Sequence, residues 1–331
     1  MRAMSYAALE AHHRRLAHLQ HADAILGWDE AAMMPEGGGE ARGDALATLR
    51  GLIHAEATQP RLAELFARAE DEATGGRLDA WQSANLREMS RAWVRATAIP
   101  SELVEAASRA ESRSEQAWRK LRAANDWESF LPLLEEVVKR KREVGQALAE
   151  KLGLSVYDAH LDGYEPGAKS EQIAVLFAEL REFLPGFVND AIEKQKSDGL
   201  VMPAGPFAVE RQKELGTALM RRVGFDFFHG RLDVSHHPFC GGVPRDVRIT
   251  TRYDPADFMK ALMGVMHETG HAKYEQNLPA AWLEQPVGSA RSMSIHESQS
   301  LLQEMQVCRS REFLTFAAPF FAEAFPELAA L

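Results

Sequence analysis

The chain is short of cysteine, of long apolar runs and of positive charge, and each shortage removes a class of protein. Only Cys240 and Cys308 occur in 331 residues. They are too few and too far apart for a disulfide framework or a cysteine zinc site, so the expected compartment is a reducing cytoplasm. No stretch reaches the roughly 20 apolar residues that a membrane-spanning helix needs. The first residues soon reach Glu10, His12, His13, Arg14 and Arg15 without an apolar signal core, so export is not expected. Lys and Arg total 38 against 48 Asp and Glu, a formal net charge of -10. A face basic enough to neutralise phosphates is therefore not expected, which argues against nucleic acid and anionic membranes as partners. Neither a repeat period nor a low-complexity linker divides the chain. With 46% hydrophobic residues it can bury a large core, and it reads as one domain over 1–331.

What the chain has in abundance is helix former. Ala, Leu, Glu and Arg dominate 5–26, 39–57, 60–74, 78–96, 100–123, 127–152, 170–196 and 208–223. Proline and glycine mark the joints at 35–39, 75–76, 100, 163–167 and 203–206. The exception is 229–254. There Leu232-Asp233-Val234 and the β-branched run Val247 to Tyr253 flank Cys240-Gly241-Gly242, which predicts a short β-hairpin. The expected fold class is mainly α, many-helical, with that hairpin directly before the most informative string in the chain. An edge strand there would also offer a surface for pairing with an extended peptide.

That string is His267-Glu268-Thr269-Gly270-His271, an HExxH pattern. Two histidines four residues apart on a helix share one face, close enough for both imidazoles to reach one metal ion. Glu268 is rotated by about 100° from His267, which suits a base that takes a proton from attacking water. The residues before it, with Phe258, Leu262, Val265 and Met266 apolar, have the spacing of a buried helix face. A peptidase zinc needs a third protein ligand and an open position. Tyr274 and Asn277 stand where an extended three-histidine pattern would require Gly and His, so the search turns to a downstream carboxylate: Glu275, Glu284, Glu297 or Glu304. Glu297 is the best of these. It lies in a second helical pattern that could face the first, whereas Glu275 shares the histidines' own helix and Glu284 sits in a proline-flanked loop.

His237-Pro238-Phe239, Asp246-Val247-Arg248-Ile249-Thr250, the HExxH string and His296-Glu297-Ser298-Gln299 together resemble four motifs of the carboxypeptidase Taq family, in order and spacing. Gly27-Trp28-Asp29 and Met34-Pro35 are similar to its N-terminal region. The resemblance implies a deeply clefted helical fold, a homodimer, Zn2+ or another divalent ion such as Co2+, and removal of C-terminal residues from peptides. By position it implies His267, His271 and Glu297 as ligands and Glu268 as the catalytic base. His237, Pro238, Phe239, Asp246, Arg248 and Thr250 would line the substrate cleft, with His237 a candidate oxyanion donor.

The chain also departs from the family. Two motifs that would follow, one carrying an arginine that anchors the substrate carboxylate, have no counterpart within 1–331, and Leu301 to Met305 stand where Arg-Leu-Trp-Glu-Asn is usual. A relative lacking the family's C-terminal part is therefore expected, with Arg245, Arg248 and Arg252 as the nearby substitutes for the anchor. Two other functions compete: a metal-binding relative with little turnover, in a binding or assembly role, and an HExxH oligopeptidase indifferent to a free C-terminus. The stretch from Phe313 to Phe325, with five phenylalanines, is either a helix docked in the chain's own core or an exposed self-association surface.

Overall fold

Helix boundaries follow the breakers. The computed structural model describes residues 5–198, 203–326 and 328. In it α1 (Ser5–Ala32), α2 (Gly39–Ala57), α3 (Arg61–Thr74), α4 (Ala80–Ala98), α5 (Ser101–Ala124), α6 (Trp127–Leu152), α7 (Val156–Tyr164), α8 (Ser170–Ser197) and α9 (Val209–Arg222) form the helical bulk. Eight of the nine fall on the segments rich in Ala, Leu, Glu and Arg. The ninth, α7, is too short for a 3.6-residue pattern to stand out, and is announced only by Ser155, whose side chain accepts from the Asp158 amide. Asp79 and Gln82 form a reciprocal capping box at the start of α4. Asn125, at φ 54, ends α5 in the left-handed region that asparagine tolerates.

Among the described residues, three apolar clusters hold helices together. Tyr6, Leu9, Leu62, Phe66, Leu86 and Met89 join α1, α3 and α4. A smaller cluster of Leu148, Ala149 and Ala159 joins α6 to α7. The largest brings α9 together with the sheet and the helices that follow, around Phe207, Leu219, Ile249, Phe258, Val265, Met266 and Phe325.

The sheet has three strands, β1 (Gly230–Val234), β2 (Phe239–Val243) and β3 (Asp246–Thr251), in the order β1-β3-β2. The hairpin is β2 with β3, antiparallel from Phe239↔Thr250 to Val243↔Asp246, and β1 lies parallel to β3. This corrects the expected hairpin of 232–234 with 247–253: those segments do pair, but in parallel, and the hairpin partner of β3 is β2. Gly241-Gly242 reads as a turn, but both residues lie within β2, opposite Arg248 and Val247. Gly242 has φ +83, and a Cβ there would stand 2.0 Å from the Asp246 carbonyl oxygen, so glycine is needed to keep the pairing around the 244–245 turn.

After the sheet come α10 (Phe258–Gln276), α11 (Met293–Leu301), a π-helical turn over Leu302–Val307 and α12 (Arg311–Ala324). Phe313 and Phe325 are buried in the large cluster and Phe320 and Phe321 pack against it, so α12 docks in the chain's own core. Phe320 and Phe321 follow Phe313 by seven and eight residues and Phe325 lies four beyond Phe321, spacings that share one helix face. Leu314 and Phe316 stay exposed, but the main apolar exposure lies elsewhere. None of the residues of α8 is buried, and Phe177, Phe183 and Phe187 are 64%, 60% and 57% exposed.

Candidate metal centre

Ten of the nineteen residues of α10 are buried, Phe258, Leu262, Val265 and Met266 among them. Asp257 starts the helix by accepting from the Lys260 amide. Burial of that stripe fixes the rotation of α10 and turns His267 and His271 along its flank, their ring centroids 5.0 Å apart. What brings α11 to them is Gly270. A Cβ there would stand 2.6 Å from the Gln299 carbonyl oxygen and 2.6 Å from the Ser300 Cα, so the two helix backbones touch at this point. Glu297, one turn before Ser300, is thereby set beside both histidines. Its Oε1 lies 3.8 Å from His267 Nε2 and its Oε2 lies 3.3 Å from His271 Nε2. One ligand atom from each of the three residues falls within 4.8 Å of the others.

The other carboxylates weighed as third ligands are engaged away from these Nε2 atoms. Glu304, in the π-helical turn, accepts from His267 Nδ1 at 3.1 Å and is held by Arg309. Glu275 lies 2.7 Å from His296 Nε2. Glu284 pairs with Arg14 and His18. Burial pushes the His271 imidazole down to about 4, with His296 and His267 adding to the shift, so near pH 7 its nitrogen lone pair is free for coordination. Two imidazole nitrogens and a carboxylate are a donor set that suits zinc and related divalent ions. The Glu297 side chain is 46% exposed, which leaves the cluster open on one side. Glu268 is only 7% exposed. Burial raises its carboxyl to about 7, with Glu297 pushing the same way and His267 opposing. That value is poised for exchanging a proton near neutrality.

The six residues expected at a substrate cleft are distributed differently. His237 is exposed at the turn before β2, its Nδ1 donating to the Pro238 carbonyl. Pro238 and Phe239 are half-buried. Asp246 and Arg248 form a two-pronged pair at 2.8 and 2.7 Å, and the Arg248 guanidinium lies 4.6 Å above the ring of Trp28 on α1. Thr250 is fully buried and its hydroxyl accepts from Ser235 Oγ and the Phe239 amide. It braces the 235–239 turn from behind and presents no surface to a ligand. A groove of about 740 Å³ runs between α1 and β2, lined by His18, His21, Arg245 and Glu275. At Gly242, Val243 and Glu275 it meets a small pocket of about 130 Å³ bounded also by Cys240 and His296. Of the three nearby arginines Arg245 lines this groove, whereas Arg248 is bound up with Asp246 and Trp28.

Sequence reasoning did not find Gly270, His296 or Trp28 in these places, and weighed Glu275 and Glu304 only as ligands. One signal was available: Glu275 follows His271 by four residues, the spacing that puts two side chains on one helix face.

The family described as carboxypeptidase Taq (M32) metallopeptidase matches residues 8–330. Thermostable carboxypeptidase 1 of Thermus thermophilus is 37% identical over 332 residues, covering 98% of this chain and 65% of that protein. Carboxypeptidase 1 of Bacillus subtilis is 32% identical, covering 91% and 60%. Among solved structures, metallocarboxypeptidase 1 of Trypanosoma cruzi superposes with a TM-score of 0.86 at 42% identity, over 97% of this chain and 64% of that one. The chain thus spans less than two thirds of the length of each of these relatives.

Proposed function

Since the chain belongs to the carboxypeptidase Taq family of metallopeptidases, we propose that it removes C-terminal residues from peptides at a divalent ion, Zn2+ foremost, held by His267, His271 and Glu297. The observation that carries this reading is the meeting of those three ligand atoms within 4.8 Å, beside a buried Glu268 whose carboxyl is raised to about 7. A divalent ion bound there would supply Lewis acidity to the water and to the scissile carbonyl.

The chain's own residues do the rest. Glu268 takes a proton from the attacking water and passes it to the leaving amine, a role its raised carboxyl suits near neutral pH. His237, exposed beside the sheet, is the candidate donor to the developing oxyanion, and of the two arginines lining the groove Arg245 is the one suited to a terminal carboxylate, since Arg14 pairs with Glu284. The edge of β2, which borders both groove and pocket, offers backbone groups for an extended peptide. The paucity of cysteine supports a cytoplasmic setting. The exposed apolar face of α8 supports self-association as a homodimer.

Hydrolysis of N-blocked dipeptides, compared with their C-terminally amidated forms and with chelator present or absent, tests the reading. Chelator-sensitive release from the free acids is expected. Equal cleavage of both forms would indicate an oligopeptidase, and no cleavage by zinc-loaded protein would remove the enzymatic reading.

A further inference from the structure

The two histidines of the HExxH string are backed in different ways. Each turns Nε2 toward Glu297 and so presents Nδ1 to a partner behind it. A neutral imidazole that coordinates through Nε2 must carry its proton on Nδ1, and that N–H needs an acceptor. For His267 the acceptor is the carboxylate of Glu304 at 3.1 Å. For His271 it is another imidazole. The Nδ1 of His296 lies 2.6 Å away, and His296 Nε2 lies 2.7 Å from Glu275 Oε1.

Coordination of an ion through His271 Nε2 would fix the protons of that chain. With His271 Nδ1 as donor, His296 Nδ1 must be bare, so the His296 proton sits on Nε2 and is received by Glu275. The carboxylate at the far end can only accept, which matches a proton on His296 Nε2. Helix geometry supplies the rest: Glu275 follows His271 by four residues on α10, and α11 inserts His296 between them. The two rings are 4.6 Å apart at 36°, and the Tyr274 ring makes a T-shaped contact with His296 at 5.0 Å. His271 and His296 side chains are each 11% exposed and Glu275 23%, so water competes poorly for these bonds.

We propose that His296 and Glu275 are positioning residues of the metal centre, a two-step relay that holds His271 in the tautomer and orientation required for coordination. The proposal rests on His267, His271 and Glu297 being the ligands, and its test is separable from the test of that reading. Zinc alone is the probe, and the dissociation constant is read by competition with a chromophoric chelator on the full chain, without reference to turnover.

His296→Phe, which keeps a flat ring and removes both nitrogens, is expected to weaken zinc by about 10 to 100-fold. Glu275→Leu should match it. Glu275→Gln, whose amide oxygen still accepts from His296, should recover most of the affinity. Because both residues act along one chain, the double variant His296→Phe/Glu275→Leu should lose no more than the larger single loss. If His296→Phe does not fold, the Leu and Gln variants at 275 carry the comparison. Zinc affinity within about twofold of the unsubstituted protein in the Glu275→Leu variant, with an unchanged melting temperature of the metal-free form, would overturn the relay. So would equal losses for Gln and Leu at 275, or additive losses in the double variant. Retention of tight zinc by His271→Ala would instead overturn the ligand assignment beneath it.

Discussion

Two helices of this chain carry prominent apolar stripes and meet opposite fates. In α10 the stripe is buried, as are ten of its nineteen residues, and the burial fixes how His267 and His271 face α11. In α8 no residue is buried, and phenylalanines at 177, 183 and 187 face outward. Apolar spacing therefore tells where a helix has a sticky face and leaves open what that face meets. On α10 the face meets α9, β3 and α12 in the large core, and the metal centre is built on the flank left over. On α8, nothing among the described residues covers it.

The sharpest way to break the comparison is at the contact that makes α10 useful. Gly270→Val should force α11 away, because added carbon would fall on two backbone atoms of 299 and 300. The expected result is a loss of about 3 kcal/mol or more in stability, since backbone cannot yield as a side chain does. Zinc affinity should fall at least about 100-fold with it. Chemical denaturation and chelator competition measure the two effects, and a variant with normal values in both would show that the helices do not depend on this crossing.

Within the intact site, Glu268→Gln should retain zinc while kcat on an N-blocked dipeptide drops at least about 10²-fold, because an amide cannot take up the water's proton. Near-normal turnover by the zinc-loaded variant would remove Glu268 from the mechanism.

A third helix, α1, adds a buried titratable group to the comparison. His13 on α1 is buried, and burial with His12 beside it holds its imidazole at about 4, below the ordinary value of 6.5. The unfolded chain then binds a proton that the folded chain refuses. Stability is full above about pH 6.5 and is lost as pH falls toward 4, by about 2 kcal/mol at pH 5. Denaturation midpoints of the unsubstituted protein and of His13→Gln between pH 7.5 and 5 check this. Equal acid sensitivity in the two proteins would dissociate His13 from it.

The smallest effect belongs to α8. Replacing Phe177, Phe183 and Phe187 together by Ser should change stability by less than about 0.5 kcal/mol, as surface substitutions do. Binding of a hydrophobic dye and concentration-dependent light scattering should both fall. A destabilisation above about 1 kcal/mol would mean that α8 is packed and does not contrast with α10.

How far the sequence could be read follows from the same contrast. Helices with strong composition and flanking breakers were legible, most of them to within a few residues although α1 runs on from the expected 26 to Ala32, and so was the approach of Glu297 to the two histidines of the HExxH string. The strand pairing was not, because Gly241-Gly242 resembles a turn and only the paired backbone reveals that Gly242 lies within β2. The Phe313 to Phe325 stretch left two outcomes open, and only packing against Phe207 and Phe258 selects burial in the chain's own core. Thr250 was grouped with the cleft residues, whereas its hydroxyl braces a turn. In each case the missing knowledge was a partner distant in sequence, which local pattern does not contain. The relay through His296 and Glu275 belongs here too, since it exists only once α11 lies on α10.

The central claim is that one divalent ion is held where α10 and α11 touch, by two residues of one helix and one of the other. Metal analysis after exhaustive dialysis tests it most directly. The account predicts one zinc per chain in the unsubstituted protein and loss of that zinc in both His271→Ala and Glu297→Ala. Stoichiometric, chelator-resistant zinc in His271→Ala would contradict it.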